Sequence, residues 1–151
     1  MFVNIKKLDP NAVIPQYAHN GDAGLDLVAT RRWFDEEGNI CYGTGIAMEI
    51  PIGYVGMVFP RSSIAKKQVL LSNAVGIIDS NYRGEILAKF KPSMALDDTQ
   101  CINGVQINNI YEVGERICQI IIMPYPKIEF KEVLQLSETE RNEGGYGSSG
   151  L

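Results

Sequence analysis

The chain has 151 residues, 45% of them hydrophobic and 21% charged, and a formal net charge of −4 at pH 7. That length fits one domain, which buries roughly 70% of its unfolded surface and so builds a core unaided. The acidic balance excludes a general nucleic-acid binder, whose footprint is a basic surface, and no apolar run approaches the ~18 residues of a membrane helix.

Residues 2–8, the first apolar run, read as a strand; MFVNIKK lacks the long apolar core of a secretory signal, so a cytoplasmic location is expected. Further β-like runs rich in Ile, Val, Leu and aromatics follow at 25–29, 46–50, 54–59, 69–71, 76–78, 85–90 and 117–123. Turn chemistry separates them: Asn20-Gly21, Gly53 after Pro51, Asp79 to Asn81, and Val113-Gly114. Residues 62–68 suit one or two helical turns with Ser62 as N-cap. Strands at this density without helical periodicity predict an all-β sandwich or barrel over residues 1–137. From Glu138 the composition shifts to Glu, Asn, Gly and Ser, so residues 138–151 read as a tail with little to bury.

Few residues are available for chemistry. The cysteines Cys41, Cys101 and Cys118 form no C-x-x-C pair and read as free thiols of a reducing compartment. The single histidine, His19, lies in the turn-like YAHNG and reads as solvated, which removes Ser-His and Cys-His mechanisms. Catalysis would then rest on carboxylates, arginines, hydroxyls and a hard metal ion.

Several short stretches carry such groups. PRSS brings Arg61, Ser62 and Ser63 to the end of a strand, either as an anion site or as a surface arginine with a capping serine. DAGLDL places Asp26 between two leucines, as a solvent-facing carboxylate or as one that holds a hydrated Mg²⁺. GIIDSNYRGE looks like a hairpin, with Asp79 either initiating a plain turn or acting as a general base. RICQ puts Arg116 and Gln119 on one face of a core strand. The ending GGYGSSGL contains a G-x-G-x-x-G pattern, yet only one residue follows it, so no helix opens behind a phosphate cradle.

Taken in order, DAGLDL, PRSS, GIIDSNYRG, RICQ and RNEGGYGSSG resemble the five sequence motifs of trimeric dUTPases over nearly the whole chain. The resemblance implies a jelly-roll β barrel and a homotrimer whose active sites lie at subunit junctions. It implies Mg²⁺-assisted hydrolysis of dUTP to dUMP and pyrophosphate. Asp79 matches the catalytic base, Asp26 the carboxylate that binds the metal's waters, and Arg61, Ser62, Ser63 and Gln119 the residues that hold phosphates. Main-chain groups around Asn73, Gly76, Ile77, Ile78 and Leu87 would read uracil, and Tyr82 would pack beneath deoxyribose. The tail would be a lid crossing to a neighbour, with Arg141, Ser148 and Ser149 on the terminal phosphate, Gly147 a close-approach point and Tyr146 stacked on the base.

Ser63, Cys118 and Tyr146 depart from the commonest family residues, as does the long link 91–111 between the third and fourth motifs. That link reads as a surface insertion, an extra hairpin, or a protein-binding surface. Two other functions compete with hydrolysis: a nucleotide-switched regulatory protein on the same scaffold, and a dCTP deaminase.

Overall fold

The computed structural model describes residues 1–93, 101–102, 105–106 and 109–145. Its strands are β1 (Asn4–Lys7), β2 (Leu25–Val28), β3 (Arg31–Phe34), β4 (Ile40–Gly43), β5 (Ile46–Glu49) and β6 (Tyr54–Pro60). They continue with β7 (Val69–Leu71), β8 (Gly76–Ile78), β9 (Leu87–Pro92), β10 (Cys101–Ile102), β11 (Val105–Gln106) and β12 (Arg116–Pro124). Two four-stranded antiparallel sheets, β2-β12-β6-β8 and β3-β4-β9-β7, are accompanied by the separate pairs β1-β5 and β10-β11. The all-β expectation holds. The β10-β11 pair realises the extra hairpin foreseen within 91–111, while residues 94–100, 103–104 and 107–108 of that link lie outside the described residues.

Both sheets face one core. In β9 the pleat alternates, with Ala88 and Phe90 buried and Leu87, Lys89 and Lys91 exposed. Phe90 meets Tyr42 and Tyr111 in an aromatic cluster, its ring 5.6 Å edge-on from the first and 5.5 Å from the second. Tyr42 donates its hydroxyl to the Tyr111 carbonyl at 2.7 Å, which satisfies a polar atom inside the core. Burial pushes the Tyr42 hydroxyl up to about 12.

Three sequence expectations need correction. Strands β3 and β4 were not anticipated, because Arg31, Arg32, Asn39 and the Asp35–Gly38 turn interrupt their apolar runs. Residues 76–85 are not a hairpin: β8 pairs with β6 in one sheet, whereas β9 pairs with β4 and β7 in the other. The Asp79 turn is therefore a corner that passes the chain between sheets. Ser62 does not cap a helix: Ser62–Lys66 is a 3₁₀ turn whose N-cap is Arg61, and no side chain caps it. That short turn closes on the Ile64 amide and Arg61 carbonyl, so Ser62 is already inside it.

His19 sits in a turn beside Asp22, which accepts its main-chain N–H at 2.8 Å. Among the described residues no helix is long and apolar enough to cross a membrane.

Candidate active site

One end of the first sheet gathers three of the motifs by register. β12 is central: Gln119 pairs with Asp26 of β2 on one side and with Phe59 of β6 on the other. A bulge between Arg116 and Cys118 lets Arg116 pair with Val28, which shares its face with Asp26. Strict alternation would set Arg116 and Gln119 on opposite faces; the bulge brings them to one face and buries Ile117 and Cys118 together behind it.

Asp26 is not solvent-facing. Its side chain is 15% exposed and both oxygens are taken. Arg61 donates from Nε to Oδ1 at 2.6 Å and from Nη2 to Oδ2 at 3.3 Å, and Arg116 donates to Oδ2 at 3.1 Å. Arg61 Nη1 reaches Ser63 Oγ at 3.4 Å. Two guanidinium groups against one carboxylate leave a net positive corner, edged by the Ser63 hydroxyl with Ser62 beside it in the chain, that suits an anion. Gln119 donates to the Pro60 carbonyl at 3.1 Å. Its amide lies where a side chain on Gly24 would stand: a Cβ there would come within 2.2 Å of Gln119 Oε1. The glycine of DAGLDL is thus a space left for Gln119. Burial pushes the Cys118 thiol up to about 12, and the Asp26 charge adds to the effect, so this thiol is inert.

A separate cavity of about 240 Å³ opens beside β8, lined by Val58, Asn73, Gly76, Ile77, Ile78, Asp79, Tyr82, Glu85 and Leu87. Every residue assigned to base, sugar or proton transfer, apart from those of the tail, lines it. β8 pairs with β6 on one edge and with no strand on its other edge among the described residues, so main-chain donors and acceptors face the opening. Asp79 is exposed at the end of β8 and accepts the Tyr82 amide through its carbonyl at 3.0 Å. Tyr82 folds back over Gly84 and donates its hydroxyl to the Glu85 carbonyl at 2.9 Å.

Asp79 and Arg61 do not meet within one chain, although Val58 of the same strand lines the cavity. Ile78 lies opposite Gly56, so Asp79 falls beside Val55, six residues from Arg61 along β6. At a strand's rise that is about 20 Å.

The dUTPase family model matches residues 10–150. A deoxyuridine 5'-triphosphate nucleotidohydrolase of Corynebacterium diphtheriae is 43% identical over 151 residues, spanning 99% of this chain and 93% of the relative. One from Rhodococcus erythropolis is 40% identical over 153 residues, spanning 98% and 85%. This chain belongs to the dUTPase family. The dUTPase of Staphylococcus bacteriophage 80alpha, solved with dUpNHpp, superposes with a TM-score of 0.83 at 30% identity, covering 99% of each chain. The fold is the jelly roll of the dUTPases.

Within this dUTPase framework, the described residues hold no group of three or more His, Cys, Asp or Glu able to bind a metal ion. A single carboxylate, Asp26, stands in the anion corner. That donor set fits Mg²⁺ bound mainly by water and phosphate oxygens, and does not fit an all-protein cage. Arg141 lies in a local turn: Thr139 and Asn142 exchange side-chain to main-chain hydrogen bonds at 2.8 and 3.0 Å, and Arg141 Nε donates to the Gly144 carbonyl at 2.8 Å. Tyr146, Gly147, Ser148 and Ser149 lie outside the described residues. Sequence reasoning assigned no role to Gly24, Arg116 or Glu85. All three stand inside quoted stretches, and only the folded chain reveals what they touch.

Proposed function

We propose that this dUTPase hydrolyses dUTP to dUMP and pyrophosphate with Mg²⁺ in the cytoplasm, at sites shared between the subunits of a homotrimer. Such an activity limits uracil incorporation into DNA and supplies dUMP. The observation that carries this reading is the single cavity holding Asn73, Gly76, Ile77, Ile78, Asp79, Tyr82 and Leu87.

The free edge of β8 offers N–H and C=O groups that complement the acceptor-donor-acceptor edge of uracil. Cytosine would leave some of them unpaired, at about 1–3 kcal/mol per buried group. A thymine methyl would be refused for lack of room, and the Tyr82 ring would form the wall that a 2′-hydroxyl strikes. Asp79 takes a proton from the water that attacks the α-phosphorus. Arg61, Ser62, Ser63 and Gln119 of a neighbouring subunit hold the phosphates and align them, which is most of what such a displacement asks of a protein. Asp26 would hold Mg²⁺ through its waters, and the ion would supply neutralisation of phosphate charge there.

Trimerisation is supported by two features of the single chain. Asp79 stands about 20 Å from Arg61 along the line of β6, and residues 125–145 form no strand or helix. In that stretch Phe130 is 97% exposed, and Ile128, Leu134 and Leu136 are also bare. Exposed apolar runs of this kind mark interaction surfaces, and a second copy of the chain would cover this one. The tail from Glu138 then brings Arg141, Ser148 and Ser149 to the terminal phosphate and Tyr146 to the base as a lid.

The test is pyrophosphate release from dUTP, dCTP, dTTP and UTP with Mg²⁺. The expected result is turnover of dUTP far above the other three, abolished in Asp79→Asn while nucleotide still binds. Equal rates on all four substrates, or full turnover in Asp79→Asn, would reject the reading.

A further inference from the structure

The Asp79 turn returns to the barrel through Glu85, whose carboxylate accepts three hydrogen bonds. Arg31 grips its carboxylate with both terminal nitrogens, Nη1 to Oε1 at 2.7 Å and Nη2 to Oε2. The Gly45 amide donates to Oε1 at 2.7 Å. On the next residue, the Ile86 amide donates to the Ile46 carbonyl and the Ile86 carbonyl accepts Thr44 Oγ1, each at 2.8 Å. The ion pair lies flat on Gly43, where a Cβ would stand 2.6 Å from Arg31 Nη1 and 2.7 Å from Glu85 Oε1. Arg31 is steadied from behind by the Trp33 ring, 5.2 Å from its guanidinium carbon.

Glu85 is only slightly exposed, and its carbonyl is the acceptor that holds the Tyr82 hydroxyl. Tyr82 itself is 42% exposed, so little packing fixes its ring apart from that hydrogen bond and the contact with Gly84. A ring that swings freely cannot exclude an extra hydroxyl; a ring tethered at its far end can.

We infer that Glu85, clamped by Arg31 on the surface of Gly43, is a positioning residue that holds Tyr82 as a fixed wall and thereby sets the preference for deoxyribose over ribose. Neither Glu85 nor Arg31 touches the reacting atoms. The role rests on the dUTP reading above and adds to it a device for sugar selection whose anchor, Arg31 on Gly43, lies outside the recognised motifs.

The experiment compares kcat and KM for dUTP and UTP, and the dissociation constants of dUMP and UMP, in wild type, Arg31→Met, Arg31→Lys, Glu85→Gln and Tyr82→Phe. Arg31→Met and Glu85→Gln should lower the dUTP-to-UTP ratio of kcat/KM by about tenfold, mainly through KM, and lower the dUMP-to-UMP affinity ratio in parallel. Arg31→Lys, which keeps the charge but loses the fork, should restore part of it. Adding Arg31→Met to Tyr82→Phe should change the ratio no further, because the tether is already cut. If Arg31→Met does not fold, Arg31→Lys and Glu85→Gln carry the test. Unchanged ratios in folded variants, or an effect that simply adds to that of Tyr82→Phe, overturn the inference. A wild type that does not cleave dUTP defeats the functional reading instead, so the two failures are separable.

Discussion

If the active site is built from two chains, two inactive variants should repair each other. Asp79 and Arg61 are separated by six residues of β6, about 20 Å of extended strand, and the Arg61 side chain is turned toward Asp26 on β2. That gap exceeds what an arginine side chain and a triphosphate bridge from the attacked phosphorus. Asp79→Asn and Arg61→Gln each remove one half, so each homotrimer should be nearly inactive. In a mixed ring of three, whichever variant is in the majority, one junction joins an intact Asp79 to an intact Arg61 when read in the productive direction. Trimers carrying both variants, isolated through two different affinity tags after co-expression, should therefore recover about one third of wild-type kcat per chain. The assay is pyrophosphate release at saturating dUTP. Mixed trimers no more active than either parent would refute the shared site and the strand-register argument beneath it.

Gly24→Ala should push the Gln119 amide out of its seat and raise KM for dUTP by roughly tenfold, the scale of one lost hydrogen bond to a charged group. The same substitution should add nothing in a Gln119→Ala background, which a double-mutant cycle would read. Burial favours the neutral form of Asp35, but hydrogen bonds from Asn39 and Lys89 outweigh it and hold the carboxyl below its usual range. A lowered folded value stabilises the fold above the unfolded carboxyl value, about pH 4, and that contribution fades as pH falls through the folded value. The difference in Tm between wild type and Asp35→Asn should thus be full near pH 6 and shrink below pH ~4; a difference independent of pH would remove Asp35 from this role. Cys41 and Cys118 are buried free thiols with raised proton affinity. Iodoacetamide at pH ~8 should label neither in the native protein and both after unfolding, as peptide mass spectrometry would show.

Much of the fold was legible along the chain. Residues 69–71 and 76–78 emerged as strands with the expected bounds, because short runs of branched aliphatic residues between turn signals have few alternatives. Strands β3 and β4 were hidden by charged residues that find partners only in three dimensions: Arg31 on Glu85, Arg32 on Glu112, and Asn39 on Asp35. The corner at Asp79 looked like a hairpin because turn chemistry announces a reversal without naming the strand that will be met. Asp26 looked solvent-facing because alternation tells which way a side chain points, not what waits there.

The order and chemistry of the motifs determined the family and the residue types available for binding a charged nucleotide, since those depend on composition and local spacing. Only tertiary structure decided which groups share a pocket. A bulge of one residue put Arg116 beside Asp26, a missing Cβ at Gly24 made room for Gln119, and strand pairing set Asp79 far from Arg61. Such outcomes follow from contacts between segments tens of residues apart, where register and close approach act and linear pattern carries no distance.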